Sequence, residues 1–189
     1  IRYVYPPLWV LQLGVFSKVK IDDSDFIDFL KKKYKFIELR LNSGNIFSKE
    51  NSNLEERNFQ ELGLNHSIED LRKSYQSDRK KDLKKAEKFS LTEKWNDDPK
   101  LLIQLFQGNV GKRTPEIKAK DYSNLESLIH KCIEKDKGEV LSVYEKDKLV
   151  ASAFLLKHHK TVTILCSSTD FSNRNNGANT YLIDLAIQK

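Results

Sequence analysis

The chain has 189 residues, with 33 Lys+Arg against 27 Asp+Glu for a net charge of +6, and it is 39% hydrophobic and 32% charged. That composition excludes collagen-like and compositionally disordered chains and fits a folded globular domain, or two small ones. Two cysteines, Cys132 and Cys166, exclude a disulfide framework and a cysteine-rich zinc site, so a reducing, cytoplasmic compartment is expected. The longest mostly apolar stretch, Tyr3 to Phe16, is broken by Pro6, Pro7, Gln12 and Gly14. It is too short for the roughly 20 residues of a helical membrane span, so none is expected. The chain opens at Ile1, contains no Met, and stops at Gln188-Lys189 inside a helical pattern. It therefore reads as a fragment of a longer protein.

In chain order, Trp9, Leu11, Leu13, Val15 and Phe16 predict a strand set off by the Pro6-Pro7 pair. Asp23 or Ser24 then caps a helix with Phe26, Ile27, Phe29 and Leu30 on one face, and Lys31, Lys32 and Lys33 favour its negative end. Phe36, Ile37, Leu39 and Leu41 predict a second strand, Asn42 to Arg57 a polar loop or hairpin, and Phe59, Leu62 and Leu64 a short strand. A long helix is expected from Ser67 to Lys88. Ser67 and Asp70 approximate a capping box, while Ile68, Leu71, Tyr75, Leu83 and Ala86 form a stripe with Arg79 in its middle.

Asp98-Pro99 is an N-cap followed by proline at the first helical position, with Leu101, Leu102, Leu105 and Phe106 buried and Gly108 as the stop. Tyr122, Leu125, Leu128, Ile129, Cys132 and Ile133 form the next amphipathic face, closed by Gly138. The period then changes to two. Val140 to Tyr144, Leu149 to Leu156 and Val162 to Cys166 predict a three-stranded antiparallel meander, because only short polar connections separate them. Ser167 to Ser172 and a polar loop with Gly177 lead into a last helix that buries Tyr181, Leu182, Leu185 and Ala186.

That last connection carries chemistry in principle. A strand, a polar loop and a helix N-terminus make an anion-site geometry, because the first helical amides lack acceptors and the dipole is positive there. Arg174 adds a cation and Gly177 a point of close approach. Arg79, on an apolar helix face, needs a partner, and its planar fork suits a phosphate or a carboxylate. From Arg72 to Lys88 eight basic residues face three acidic ones, which concentrates +5 of the net charge on one segment. His66, His130 and the adjacent His158-His159 lack metal-ligand spacing, so no zinc site is expected.

Two pairs of helices, a three-stranded meander and a loop of the form Arg-x-x-Gly-x-x at Arg174 to Asn179 together resemble the GNAT superfamily of N-acyltransferases. The stretch from Asn65 to Lys88, with Arg79-Lys80-Lys81-Asp82-Leu83-Lys84-Lys85-Ala86, looks like the Arg-Arg-x-x-Leu-x-Lys-Ala element of the bacterial FemAB/FemX-like branch. In the position where the family usually has a small residue, this chain has Asn179. The resemblance spans about Trp9 to the end of the chain.

It implies an α/β fold, a mixed and mainly antiparallel sheet flanked by helices, within a two-half protein. Residues 1–94, with the basic helix 67–88, would be an incomplete first half and residues 95–189 a second half ending in the loop and helix 173–189. The implied activity is transfer of an acyl or aminoacyl group from acyl-CoA such as acetyl-CoA, or from aminoacyl-tRNA, to an amine on a small molecule or peptide. Arg174, Asn175, Asn176, Gly177, Ala178 and Asn179 would hold the donor's phosphates, with Ser167 alongside its arm and Arg79 on the substrate. Ser168 or Tyr181 would protonate the leaving group, and no metal is implied. The competing expectation is a non-catalytic module of the same shape that holds an anionic polymer on its basic helix.

Overall fold

A computed structural model describes residues 2–19, 22–45, 55, 57–58 and 60–189. The chain divides into two compact units, Ile1–Glu61 and Leu62–Lys189.

In the first unit, strand β1 (Tyr3–Val4), helix α1 (Asp23–Lys33) and strand β2 (Phe36–Ile37) form a small βαβ arrangement. The strands are parallel, with Tyr3 opposite Phe36, and Lys35 N–H to the Arg2 carbonyl at 3.0 Å and Glu38 N–H to the Val4 carbonyl at 3.0 Å extend the pairing. The N-cap of α1 is Asp22, one residue before the expected position, because its backbone is extended and its carboxylate accepts the Ser24 N–H at 2.9 Å.

The strand expected over Trp9 to Phe16 does not form, and the chain there is irregular. Beside isolated backbone bonds such as Leu13 N–H to the Arg40 carbonyl at 2.6 Å, side chains take up its backbone groups. Asn45 spans both the N–H and the carbonyl of Val15, each at 3.1 Å, and Asn42 donates to the Leu13 carbonyl at 3.1 Å. The second strand stops at Ile37, short of Leu41, where Arg40 instead donates to the Val10 carbonyl at 3.0 Å. Leu62 and Leu64 are exposed and outside any strand, while Phe59 and most of the Asn42 to Arg57 loop lie outside the described residues.

The second unit is a mixed α+β layer structure. Its elements are α2 (Ile68–Ser74), α3 (Ser77–Lys88), β3 (Leu91–Trp95), α4 (Pro99–Gly108), α5 (Ala119–Glu134), β4 (Gly138–Glu145), β5 (Lys148–His158), β6 (Thr161–Thr169) and α6 (Ala178–Gln188). Strands β3-β4-β5-β6 pair in that order, all antiparallel, so the expected meander is present and helices flank it. Lys146 at φ 54° and His159 at φ 53° turn its two hairpins. Along the strands the side chains alternate between two buried faces. Leu141, Val143, Ala151, Ala153 and Leu155 pack with Ala86 of α3 and with Ala178 and Leu182 of α6. The alternate residues, among them Ser152, Phe154 and Ser168, face the opposite way, where the Ser168 hydroxyl donates to the Leu105 carbonyl of α4 at 3.3 Å. Burying each such Leu, Val or Phe stabilises the fold by about 1.5–3 kcal/mol.

Two expectations need correction here, and one strand is new. The helix over Ser67 to Lys88 is two helices, since Tyr75 and Gln76 are both extended, at ψ 139° and 151°. Ser67 caps the first of them as expected, accepting the Asp70 N–H. Gly138 does not end α5; Asp136 at φ 53° does, with the Lys137 N–H returning to the Cys132 carbonyl at 2.7 Å. Gly138 instead opens β4, where a Cβ would sit 2.4 Å from the Phe154 ring. Finally, β3 was not expected, and it forms the sheet edge beside β4. Among the described residues no helix is long and apolar enough to cross a membrane.

Candidate functional site at the start of helix α6

The connection from β6 to α6 is held by side chains at almost every residue. Asp170 accepts the Ser172 N–H at 2.8 Å and hydroxyl at 2.7 Å and pairs with Lys148 at 2.6 Å. Burial alone would raise the Asp170 carboxyl, but those hydrogen bonds outweigh it and bring its pKa down to about 2. The Phe171 N–H donates to Asn109 at 2.8 Å, which ties the loop to the end of α4. Asn173 and Asn176 both donate to one oxygen of Glu145, at 2.8 and 2.9 Å, and the Asn176 side-chain Oδ1 accepts the Ala178 N–H at 3.1 Å. Asn176 is 1% exposed, so it acts as a fixed post between β4 and the first amide of α6.

A single turn of 3₁₀ helix, Arg174–Asn176, leads to Gly177, which is left-handed at φ 75°. A Cβ there would lie 2.1 Å from the Asp82 carbonyl of α3. The glycine is therefore required twice: by the backbone conformation, which costs a side-chain-bearing residue about 1–2 kcal/mol, and by the close approach of α3. Its open side faces the neighbouring helix.

Between α3 and this loop lies a cavity of about 350 Å³, lined by Arg79, Asp82, Val150, Thr169, Arg174 and the segment Asn176 to Thr180. Arg79 donates to the Thr180 hydroxyl at 3.1 Å and stands 3.6 Å from Asp82. The Thr180 hydroxyl in turn donates to Asp82 at 3.0 Å, and Lys85 pairs with Asp82 at 3.0 Å. Burial acts to raise the Asp82 carboxyl, but Lys85 and Thr180 hold it below the usual range, so it stays charged. The Arg174 guanidinium lies over the Phe171 ring, 3.9 Å from its centroid, and among the described residues it has no carboxylate partner. The amides of the first helical turn after Ala178 have no intrahelical acceptor, as at any helix start, and carry the positive end of the dipole of an 11-residue helix.

A smaller cavity of about 170 Å³ shares Arg79, Asn179 and Thr180 and continues past Tyr75, Ile183 and Ile187 to Asp184. Asp184 is 1% exposed and holds four donors: Arg72 Nε at 3.0 Å and Nη2 at 2.5 Å, the Tyr75 hydroxyl at 3.1 Å and Gln188 at 2.7 Å. Burial and Asp184 push the Tyr75 phenol up to about 12.

The residues singled out in the sequence are thus only partly gathered. Arg79, Arg174, Asn176, Gly177, Ala178 and Asn179 line one cavity. Ser167 is half-buried on the same side of β6 as Thr169, two residues further along the strand. Asn175 is exposed and outside the lining. Ser168 is on the far face of the sheet, bonded to α4. The Tyr181 hydroxyl donates to Glu93 at 3.0 Å, and burial with that bond pushes its phenol up to about 12, so its proton is directed toward β3. Arg79 is not buried as its place in the stripe predicts. Its side chain is 58% exposed, because the break at Tyr75-Gln76 turns α3 away from the phase of α2.

The sequence reading missed Thr169, Thr180, Asp82 and the Arg72–Asp184 pair, whose members stand 112 residues apart. Nothing local signals them, apart from an Asp inside an otherwise apolar helix. Among the described residues, no three His, Cys, Asp or Glu side chains gather where they could hold a metal ion. Cys166 is buried, which pushes its thiol up to about 12 and leaves it a poor nucleophile. No family model matches the chain, and no curated protein matches it.

Proposed function

We propose that the cavity at the start of α6 holds the phosphates of an acyl donor of the CoA type, and that the chain is an N-acyltransferase acting on an amine. The observation that supports this reading best is the Arg174 guanidinium, fixed on Phe171 and, among the described residues, without a carboxylate partner, in a cavity that also receives the N-terminus of α6. Arg79, the Asn179 side chain and the Thr180 amide add donors around it, while the carboxylate that lines the cavity, Asp82, is committed to Lys85, Thr180 and Arg79. The donor set therefore fits a diphosphate. Thr169 and Ser167, on one face of β6, give the rest of the donor a path along the strand of roughly 3.3 Å per residue.

The chemistry is that of direct transfer. An unprotonated amine attacks the donor's thioester carbonyl, the C–N bond forms, the C–S bond breaks, the nitrogen loses its proton and the sulfur leaves as thiolate or thiol. The contribution of these residues is to hold the donor in place, and positioning of this kind supplies up to about 7–11 kcal/mol in favourable cases. The test is incubation of the full chain with acetyl-CoA and a panel of primary amines, read as thiol release. Release that needs both reactants and falls in Arg174→Ala supports the reading; no release with any amine, together with no donor binding, overturns it.

A second reading keeps a specific observation of its own. Lys84 and Lys88 are exposed on α3 and form no ion pair among the described residues, which suits a surface that holds an anionic polymer without catalysis. Lys73, Lys81 and Lys85, however, are each paired with an aspartate on their own helix, and Lys80 donates to the Lys73 carbonyl. Tight polymer binding that weakens steeply with salt, in a chain that binds no acyl-CoA, favours this reading instead.

A further inference from the structure

We infer that Arg113, Phe171 and Arg174 form a second anion subsite, outside the cavity, which takes an additional phosphate of the same ligand whose diphosphate the cavity holds. The inference rests on the donor reading above and adds a specificity to it: a carrier bearing a separate phosphate monoester is preferred over the same carrier without one.

The Phe171 ring carries two guanidinium groups, that of Arg174 at 3.9 Å from its centroid and that of Arg113 at 4.6 Å. They come from different elements. Arg113 ends the short 3₁₀ turn Gly111–Arg113 that follows α4, and Arg174 opens the turn before α6. Both arginines are exposed, and among the described residues neither forms an ion pair or donates a side-chain hydrogen bond. Nearby carboxylates are otherwise engaged: Asp170 by Lys148 and Ser172, Glu145 by Asn173 and Asn176.

Two like charges around one ring repel each other, and an anion bound beside them relieves that repulsion. The ring's negative face holds each planar fork in place, so little conformational freedom is left to lose when an anion arrives. The platform is itself anchored, by the Phe171 N–H on Asn109 and by the turn around Asp170. A phosphate monoester, with a charge of about −1.5 to −2 at neutral pH and three acceptor oxygens, matches two open arginine forks. Arg174 belongs to both the cavity and the ring. Arg174 thus joins the two, and an anion held at the ring is adjacent to one held in the cavity.

The test is isothermal titration of the full chain with desulfo-CoA and with its analogue lacking the ribose phosphate, using wild type, Arg113→Ala and Phe171→Leu. The wild type should bind the phosphorylated ligand at least tenfold more tightly. Arg113→Ala should abolish that preference while leaving affinity for the analogue unchanged, and Phe171→Leu, with unaltered circular dichroism, should reduce it. Equal wild-type binding of both ligands, or a loss in Arg113→Ala that is the same for both, overturns the second subsite and leaves the donor reading standing. Failure of the wild type to bind either ligand overturns both.

Discussion

Substituting Gly177 by Ala separates two reasons for a glycine in this loop. If the missing Cβ served only ligand approach, the change would weaken binding and leave stability nearly untouched. The structure assigns it a packing role: the added carbon meets the Asp82 carbonyl at 2.1 Å, and φ is 75°. The left-handed conformation costs about 1–2 kcal/mol in a residue with a Cβ. Relief of the contact requires α3 or the loop to retreat by roughly 1 Å, and overpacking of this kind costs about 1–3 kcal/mol. The carbonyl belongs to the body of a 12-residue helix, so it cannot swing aside as a flexible side chain would.

The expected total is about 2–5 kcal/mol, or a fall in Tm of about 5–15 °C for a chain of this size. Urea unfolding followed by far-ultraviolet circular dichroism measures it, with Gly108→Ala as the control. At Gly108, the last residue of α4, no atom lies within 4 Å of an added Cβ. That substitution should be neutral or stabilising by about 0.4–1 kcal/mol through the unfolded chain. A Gly177→Ala variant within about 0.5 kcal/mol of wild type, the range of ordinary surface changes, refutes the packing role.

Two further outcomes are expected from the buried charges. Arg72→Ala leaves the Asp184 carboxylate buried with, among the described residues, only Tyr75 and Gln188 donating to it, which should cost about 1–3 kcal/mol because the Arg72 side chain is 43% exposed and water replaces part of what it supplies; Arg72→Lys should restore only part of this in the same urea titration, since an ammonium lacks the planar fork that meets both carboxylate oxygens, and full restoration contradicts the bidentate geometry. For Asp170 the folded pKa of about 2 lies below the ordinary value of 3.8. Its contribution is thus complete above about pH 4 and is lost as pH falls toward 2. The difference amounts to about 2 kcal/mol at most, and less in practice because the paired Lys148 side chain is 60% exposed and its charge is screened by solvent. The stability gap between wild type and Asp170→Asn should therefore close between pH 4 and pH 2, and a gap that stays constant rules this linkage out.

Parts of the fold were legible where local chemistry decides. Asp98-Pro99 caps α4 as read, with the Asp98 carboxylate accepting the Lys100 N–H at 2.9 Å. The meander was legible as three β-rich runs separated by short turns: β4 and β5 are buried on both faces and read as nearly continuous apolar runs, while the end of β6 alternates. By contrast, β3 has only Leu91 buried in five residues, which leaves no alternation to read. The break at Tyr75-Gln76 has neither glycine nor proline to announce it; the Tyr75 hydroxyl reaches Asp184 across 109 residues of sequence. Because that break was invisible, Arg79 was read as the arginine in need of a partner, whereas Arg72 is the one that meets a buried carboxylate. The candidate site was legible as a loop of the right composition. Its depth was not, since Arg79, Thr169 and Thr180 reach the same cavity only through tertiary packing.

The most direct measurement is isothermal titration of the full chain with desulfo-CoA, wild type against Arg174→Ala. Removing a charge-assisted hydrogen-bond donor worth about 1.5–3 kcal/mol should weaken binding by roughly 10- to 150-fold, with the circular dichroism spectrum unchanged because Arg174 is exposed. No saturable binding by the wild type, or the same affinity in the variant, contradicts the assignment of this cavity to the donor's phosphates.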